Sequence, residues 1–234
     1  MADGTGFLPA TPRRILIGCE TSGVMRRAFA ARGHDVWSCD LQPSEDGSNR
    51  HIICDVRDLL GDGWDMLIAH PPCDRLANSG IRWLTGKNGT PPKALPKGRT
   101  LASLWDELRD GAALFSDCIN APVPRVCVEN PVMNPQAKAL IKGYRKADQT
   151  VQPWWFGDPA FKGTGLYLRG LPRLVPTNKL TPPKPGTDDH KAWSFIHRMP
   201  PGPNRKRLRS RTFAGIANAC ADQWGDAARK DVAA

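Results

Sequence analysis

Residues 14–33 have the sequence RILIGCETSGVMRRAFAARG, and this stretch decides the fold class. Its first part, residues 14–19, is mostly aliphatic and runs into a glycine, which is typical of a buried strand that enters a tight turn. Residues 22–32 carry apolar side chains at helical spacing, and Gly33 ends the predicted helix. A strand, a turn and a helix in this order predict an α/β sheet whose strands run parallel.

Further apolar runs predict more strands, and several of them end on polar side chains. These runs occupy residues 36–40, 52–56, 64–69 and 125–131. In a doubly wound sheet, ligands bind in the crevice beyond the carboxyl ends of the parallel strands. The pattern therefore predicts that the functional residues of this chain gather at one edge of its sheet.

The second half of the chain supplies the remaining elements. Helices with an apolar face are expected at 100–120 and 212–229, and two antiparallel strands that complete the sheet at 150–156 and 165–169. Residues 171–203 carry eight prolines and almost no hydrophobic periodicity. We therefore expect an irregular excursion there.

The chain carries a strong positive charge for its size. It has 234 residues, with 33 Lys and Arg against 23 Asp and Glu, a net charge of +10 and a pI near 9.5. Such a surface attracts polyanions, so nucleic acid is the first partner to consider, and a basic protein without such a partner is the open alternative. Residues 205–211 place five cations in seven positions, a density that repels itself unless an anion or solvent screens it.

The sequence contains no sign of a membrane segment or of a metal site. No apolar run approaches the roughly 20 residues of a membrane helix, and none suits a signal peptide. We therefore expect a cytoplasmic protein without a membrane partner. The seven cysteines lack the paired spacing of zinc ligands, so no metal is expected. Most of them lie beside apolar runs and are expected to pack as small core residues.

Cys73 differs from the other cysteines. It directly follows Pro71 and Pro72 after a predicted buried strand, so it lies on a rigid turn at the carboxyl edge, where a nucleophile is presented. Glu129 lies at the end of the next predicted strand, and both side chains are expected to face one cleft. A thiol with a carboxyl group suits addition to a polarised ring, whereas either residue taken singly fits a structural role at a strand end.

Two other chemistries fit this region less well. Amino-methyltransferases place Asp or Asn before two prolines and an aromatic residue after them, but here His70 and Cys73 occupy these places. The segment from Gly80 to Lys87 has one residue too many for a phosphate-binding P-loop, and Asn88 stands where Ser or Thr is required.

The motifs around the thiol and the carboxyl group resemble those of the DNA cytosine-5 methyltransferase family. Pro71-Pro72-Cys73, followed by a glycine-containing loop, is similar to the catalytic Pro-Cys motif of that family, and Glu129-Asn130-Pro131 is similar to its Glu-Asn-Val. Order and spacing agree over about residues 13–170. The resemblance implies a Rossmann-like, S-adenosylmethionine-dependent methyltransferase fold, an α/β fold with a mostly parallel sheet and a late antiparallel strand. The architecture resembles a minimal, phage-type member.

The resemblance also implies roles for individual residues. Cys73 would add to C6 of the base while Glu129 bonds N3, so that C5 takes a methyl group from S-adenosylmethionine. Residues 84–99 would close as a lid over a base flipped out of DNA. The implied cofactor contacts are Gly18, Glu20, Gly23, Asp40 at the ribose, Asp55 at the adenine, and Pro71. The implied substrate contacts are Asn130, Lys162, Thr164, Arg209 and Arg211.

The chain departs from that family in three places. The turn of residues 18–23 lacks closely spaced glycines, and Lys162-Gly163-Thr164 stands where the family has Gln-x-Arg-x-Arg. The target-recognition region shrinks to residues 171–208, a proline-rich insert between a catalytic domain at 13–170 and a helix at 209–229. So short an insert predicts a recognition sequence of only a few base pairs.

Two other functions stay open at this point. The short insert also suits the same chemistry on a free deoxycytidine nucleotide, but a free nucleotide does not require a net charge of +10. A non-catalytic DNA-binding protein with this fold would use the charge but would not need Cys73 and Glu129 together. The sequence therefore favours methylation of cytosine C5 in DNA.

Overall fold

The described part of the chain forms one seven-stranded sheet with helices on both faces. The computed structural model describes residues 11–86, 92, 94–200, 202 and 204–225. The strands are β1 (Arg14–Gly18), β2 (Asp35–Asp40), β3 (His51–Ile53), β4 (Met66–Ala69), β5 (Arg125–Asn130), β6 (Gln149–Val151) and β7 (Thr164–Arg169), in the order β3-β2-β1-β4-β5-β7-β6. Strands β1 to β5 run parallel, whereas β7 runs antiparallel to its neighbours β5 and β6. The predicted class, α/β with a mostly parallel, Rossmann-like sheet and a late antiparallel strand, is confirmed.

Two helical layers enclose this sheet. Within the described ranges the helices are α1 (Val24–Ala30), α2 (Leu101–Ile119), α3 (Pro135–Leu140), α4 (Asp188–Trp193), α5 (Phe195–Arg198), α6 (Arg205–Ser210) and α7 (Ala214–Gly225). Ile15 and Ile17 of β1 pack in the layer of α1 and α7, and Leu16 packs in the layer of α2 and α3. All three are fully buried, and burial of each contributes about 1.5–3 kcal/mol.

Helix α2 begins with a reciprocal cap. The Oγ1 atom of Thr100 accepts a hydrogen bond from the amide of Ser103 at 3.1 Å, and Ser103 Oγ accepts one from the amide of Thr100 at 3.1 Å. These bonds satisfy amides that have no partner in the first turn of a helix. The helix predicted at 100–120 therefore begins and ends within one residue of the observed one.

The proline-rich insert contains more regular structure than the sequence predicts. Helices α4 and α5 lie in the stretch expected to be irregular, and Thr187 caps α4 by accepting from the amide of His190 at 3.2 Å. Helices of six and four residues are too short to display a helical period, which is why the sequence does not reveal them.

Parts of three predicted elements lie outside the described residues. These parts are residues 87–91 and 93 of the expected lid, residues 201 and 203 of the expected insert, and residues 226–229 of the expected last helix. Within the residues that the structure covers, no helix is both long and apolar enough to cross a bilayer. In the same residues, no cluster of three or more His, Cys, Asp or Glu side chains is arranged to hold a metal ion.

Candidate active site

The carboxyl ends of the parallel strands lie along one side of the sheet. This side has two parts, the first edge and the second edge. The first edge comprises the ends of β1, β2 and β3 and the residues that follow them, including Asp40 and Asp55. The second edge comprises the ends of β4 and β5 and the start of β7, with Cys73 and Glu129. The residues predicted to contact a cofactor therefore lie at the first edge, except Pro71, which follows β4 at the second.

The pairing of β4 with β5 brings His70 beside Glu129. Ala69 pairs with Val128 in the parallel register, and the next step of this register joins His70 to Glu129. Side chains alternate between the faces of a strand, so both residues turn to the face covered by α1 and α7. His70 Nδ1 lies 3.4 Å from Glu129 Oε2.

His70 and Lys162 keep Glu129 ionised. Burial opposes the charged form of Glu129, but the hydrogen bond from His70 and the positive charge of Lys162 outweigh it, so the pKa of this carboxyl lies below its ordinary value. The carboxylate accepts the bond that His70 Nδ1 donates. The second imidazole nitrogen, Nε2, is buried and has no partner among the described residues.

Cys73 lies on the turn after β4 and is partly buried. Burial, together with the negative charges of Glu129 and Asp74, raises the pKa of the Cys73 thiol to about 11, while Lys162 and Arg209 act in the opposite direction. The thiol is therefore protonated at neutral pH, and its reaction as a nucleophile requires a group that takes its proton. Glu129 is ionised, and its charge is one of those that act on the thiol.

Asn130 fastens the turn that carries Cys73. Its Nδ2 donates to the carbonyl oxygen of Pro71 at 3.3 Å, and the amide of Ala77 donates to the carbonyl oxygen of Cys73 at 2.9 Å. Asn130 is 1% exposed, and its Oδ1 finds no partner in the described part of the chain. This residue therefore holds the proline turn and retains one buried acceptor.

A crevice lies beside Glu129 on the face of α7. Its polar lining residues include His70, Glu129, Lys162, Thr164 and Thr212, and Phe213 is among its apolar ones. Thr164 Oγ1 donates to the carbonyl oxygen of Lys162 at 3.2 Å, which fixes the start of β7. The structure thus brings together three of the predicted site residues here, whereas Cys73 lies on the turn outside the lining.

The basic segment, residues 205–211, reaches the second edge. Lys206 Nζ forms an ion pair with Asp74 Oδ2 at 2.6 Å. Arg209 lies near enough to Cys73 to lower the pKa of the thiol, and its Nε is buried without a partner among the residues described. The predicted substrate residue Arg209 is therefore brought to the nucleophile.

The basic segment is also tied to the first edge. Arg207 and Arg211 both form ion pairs with Glu45, which lies on the loop after β2. Thr21 Oγ1 donates to the other oxygen of Glu45 at 3.2 Å. Asp74 and Glu45 therefore screen the positive charges of the basic segment, which would otherwise repel one another. The predicted substrate residue Arg211 forms its ion pair at the first edge.

The turn between β1 and α1 combines left-handed backbone with a buried carboxylate. Cys19 has a φ of 57° and Gly23 a φ of 64°, and only the glycine adopts this conformation without strain. Glu20 accepts from the amide of Met25 at 2.8 Å and from that of Arg26 at 3.3 Å, which satisfies free amides at the start of α1. Backbone strain of the Cys19 kind concentrates at functional turns.

The two carboxylates predicted at the cofactor differ in their partners. Asp40, the last residue of β2, accepts through Oδ1 from the amide of Gln42 at 3.0 Å. Asp55 accepts from the guanidinium and the amide of Arg57, and these bonds hold the pKa of Asp55 below its ordinary value. Asp40 is therefore held by a single backbone bond, whereas Asp55 is held by a charged partner.

Three residues of this region are not predicted from the sequence as parts of the site. His70 is detectable in principle, because adjacent parallel strands in register place it beside Glu129. Asp74 and Glu45 carry no such signal, since only the folded chain brings the basic segment to them.

The comparisons with known proteins give matches among solved structures. No protein-family profile and no curated protein match the chain. A solved structure named as a DNA modification methyltransferase encoded within a prophage of E. coli shares 16% identity at a TM-score of 0.38. The match covers 67% of this chain and 46% of that one, so this chain spans about half the length of that protein. A likeness this distant assigns no activity to the chain.

Proposed function

We propose that this protein transfers a methyl group from S-adenosylmethionine to C5 of cytosine in DNA. The observation that carries the proposal is the placement of Cys73 after β4 and of Glu129 near the end of the paired strand β5, where the charge of Glu129 raises the pKa of the thiol. A thiol and a carboxyl group side by side are the two groups that addition to a pyrimidine ring requires. The resemblance of the motifs around both residues supports the same reaction.

In this proposal Cys73 activates the ring by adding to it. C5 of cytosine is a poor nucleophile until a group adds at C6. When the sulfur of Cys73 bonds C6, the electron pair of the C5=C6 bond moves toward C4 and N3, N3 gains a proton, and C5 becomes nucleophilic. After methyl transfer, C5 loses its proton to a base, the C6–S bond breaks with its electron pair on the sulfur, and N3 loses its proton, which restores the ring. One of the two protons returns to Cys73, and the other passes to solvent.

Glu129 moves the proton in the first step. The thiol of Cys73 loses one proton and N3 gains one, so the net charge of the site does not change. Glu129 is ionised beforehand, so it accepts the thiol proton and delivers it to N3. Lys162 and Arg209 stabilise the charge that develops on the sulfur, since both lower the pKa of Cys73.

The first edge offers surfaces that fit S-adenosylmethionine. Leu41 and Ile53 are 67% and 62% exposed, and Ile53 pairs with Asp40 across β2 and β3. Apolar side chains of this kind suit a flat adenine, and a carboxylate such as that of Asp40 accepts bonds from ribose hydroxyls. When bound, the cofactor supplies an electrophilic methyl group.

The other predicted cofactor residues shape the walls of this site in our proposal. A Cβ at Gly18 would lie 2.7 Å from Val56 Cγ2, so the chain there permits only glycine to pass without displacement. Glu20 and Gly23 fix the adjoining turn, and Asp55, held by Arg57, flanks the adenine. Pro71 joins this site to the turn of the nucleophile.

The basic segment is proposed to bind the phosphates of DNA. Its cations reach the residue that follows Cys73, through Lys206 at Asp74, and the loop after β2, through Arg211 at Glu45. Cations that find only carboxylates in the free protein are able to exchange them for phosphate oxygens. A duplex hides C6 of cytosine, so the target base is flipped out before Cys73 adds.

The test of the reaction is covalent trapping. A DNA library carries 5-fluorocytosine in place of cytosine, which blocks the final loss of the C5 substituent. With S-adenosylmethionine present, we expect the wild-type protein to become attached to this DNA, and Cys73→Ser to remain free. Cys54→Ser is the matched control, because Cys54 is also a partly buried cysteine after a strand, and it should trap like the wild type.

Two further measurements identify the product and the substrate class. Digestion of host DNA to nucleosides after expression, followed by mass spectrometry, should show 5-methylcytosine. Attachment that persists in Cys73→Ser contradicts the mechanism. The second measurement incubates the protein with a free deoxycytidine nucleotide and S-adenosylmethionine. Methylation of this nucleotide without methylation of DNA would make the free nucleotide the substrate. Unmodified cytosine in both measurements contradicts the activity.

A further inference from the structure

His70 has a buried nitrogen that nothing in the described chain satisfies. Its side chain exposes 10% of its surface, Nδ1 contacts Glu129, and Nε2 has no hydrogen-bond partner there. A buried polar atom without a partner destabilises the fold unless a further group pairs with it. His70 also lines the crevice with Glu129 and Lys162, and the proposed reaction gives it no part.

In the neutral imidazole, the unsatisfied nitrogen is an acceptor. Nδ1 of His70 faces the carboxylate of Glu129, and a favourable contact at that position requires the proton to lie on Nδ1. The neutral ring then carries a lone pair on Nε2. The group that completes this form of the site is therefore a hydrogen-bond donor.

Three neighbouring strands present their groups in a fixed order at this crevice. His70 follows β4, Glu129 lies in β5, and Lys162 just precedes β7, and these strands are adjacent in the sheet. The order across the edge is an acceptor, a carboxyl group and a cationic donor. The pairing edge of cytosine carries an amino group at C4, then N3, then O2, so its groups complement this order.

We propose that Nε2 of His70 accepts a hydrogen bond from the exocyclic amine of the target cytosine, which makes His70 a specificity-determining residue. The inference rests on the proposed function, because it takes Glu129 as the partner of N3 and leaves O2 to Lys162. Uracil and thymine place a carbonyl oxygen opposite the lone pair of Nε2. Nε2 and this carbonyl oxygen are both acceptors and form no hydrogen bond with each other, so the site rejects uracil and thymine.

The test compares two DNA duplexes that differ only at the cytosine that the wild-type protein methylates. One keeps cytosine, and the other carries pyrimidin-2-one, which lacks the 4-amino group but keeps N3 and O2. Both have an abasic position opposite the target, so that the cost of breaking a base pair does not differ between them. Every protein carries Cys73→Ser, so that binding is non-covalent, and affinity is measured by fluorescence anisotropy with S-adenosylhomocysteine present.

We expect the Cys73→Ser parent to bind the cytosine duplex about 10–100-fold more tightly than the pyrimidin-2-one duplex, the range for one buried hydrogen bond. Adding His70→Phe should bring this ratio close to one. Adding His70→Gln should recover part of it, because the amide oxygen of Gln is also an acceptor. Arg109→Gln changes an exposed residue of α2 outside the site and should keep the parental ratio.

The outcomes separate this inference from the proposed function. A parent that binds both duplexes equally overturns the role of His70 and leaves the proposed function standing. An equal loss on both duplexes in His70→Phe also overturns it, since such a loss marks a structural residue. A wild-type protein that methylates no cytosine in DNA removes the proposed function and this inference together.

Discussion

The two edges of the site satisfy their polar groups in different ways. At the first edge, Glu20 accepts from amides of α1, and Asp55 accepts from Arg57. At the second edge, His70 Nε2 and Asn130 Oδ1 are buried without a partner among the described residues. An edge whose polar groups all have hydrogen-bond partners keeps its shape without a ligand. An edge with unpaired acceptors has atoms left to bond a further group.

This difference indicates what each edge contributes to function. In the proposed function the groups of the second edge meet the reacting atoms, so substitutions there should change the rate of the reaction. The proposal gives the carboxylates of the first edge single bonds to the cofactor, so substitutions there should change affinity alone. Four measurements test this division.

The largest effect is expected from Glu129→Gln at the second edge. Gln keeps the shape of Glu but does not carry the proton from Cys73 to N3, so methyl transfer should slow by roughly 10²–10⁴-fold. The rate is measured in a single turnover with saturating cofactor. DNA affinity should stay within about threefold, because the interaction that Gln removes is made only during the reaction. Full turnover by this variant would show that the proton reaches N3 by another route.

The second effect concerns the carboxylates of the first edge. Asp40→Ala should weaken binding of S-adenosylmethionine by about 10–100-fold, the range for a lost hydrogen bond to a charged group. Asp55→Asn should weaken it by only roughly threefold, since the carboxylate that it removes is already held by Arg57. Isothermal titration calorimetry measures both. Unchanged affinity in Asp40→Ala would remove Asp40 from the site.

The third effect concerns the ion pairs that join the two edges. A triple variant in which Lys206, Arg207 and Arg211 become Gln should flatten the salt dependence of DNA binding. The slope of log K against log salt concentration should fall by up to about 0.9 for each phosphate that the protein no longer neutralises. Binding is measured at several salt concentrations with one duplex.

The control for this variant removes equal charge elsewhere. Arg109, Lys142 and Lys146 are exposed and lie away from the basic segment in the chain. Their triple change to Gln should leave the slope close to that of the wild type. Equal slopes in both triple variants would mean that residues 205–211 are merely solvated.

The smallest effect is a pair of opposite changes in the reactivity of Cys73. The charge of Glu129 raises the pKa of the thiol and that of Arg209 lowers it. Glu129→Gln should therefore lower this pKa, and Arg209→Gln should raise it further. At pH 9, below the thiol pKa of about 11, alkylation of Cys73 by iodoacetamide should become faster in the first variant and slower in the second, each on the order of threefold.

Mass spectrometry of the peptide that contains Cys73 measures these rates separately from those of the other cysteines. Rates that change in the same direction in both variants would contradict the arrangement of charges around the thiol.

The sequence predicts the sheet well because its central strands are buried on both faces. Such strands need continuous apolar side chains, so the runs at 14–19 and 125–131 are detectable and agree with β1 and β5 to within one residue at each end. The insert at 171–208 lacks this constraint. Thr187 caps α4, and none of the helices in the insert is long enough to carry an apolar stripe, so a search for hydrophobic periodicity does not detect them.

The candidate site is predictable only where chemistry and strand ends coincide. Cys73 and Glu129 meet this condition. His70 needs one further step, the register of β4 against β5, before its position beside Glu129 becomes visible. Glu45 lies 162 and 166 residues before its two arginine partners, and no local sequence pattern predicts contacts over such separations.

The position of His70 beside Glu129 is set by strand register and not by a loop. A slip of one residue between β4 and β5 would turn one of these side chains to the opposite face of the sheet. Buried residues of these strands, such as Met66 and Val126, stabilise this register. The proposed recognition of cytosine therefore depends on residues that do not contact the base. A substitution far inside the core is therefore able to change which base the protein selects.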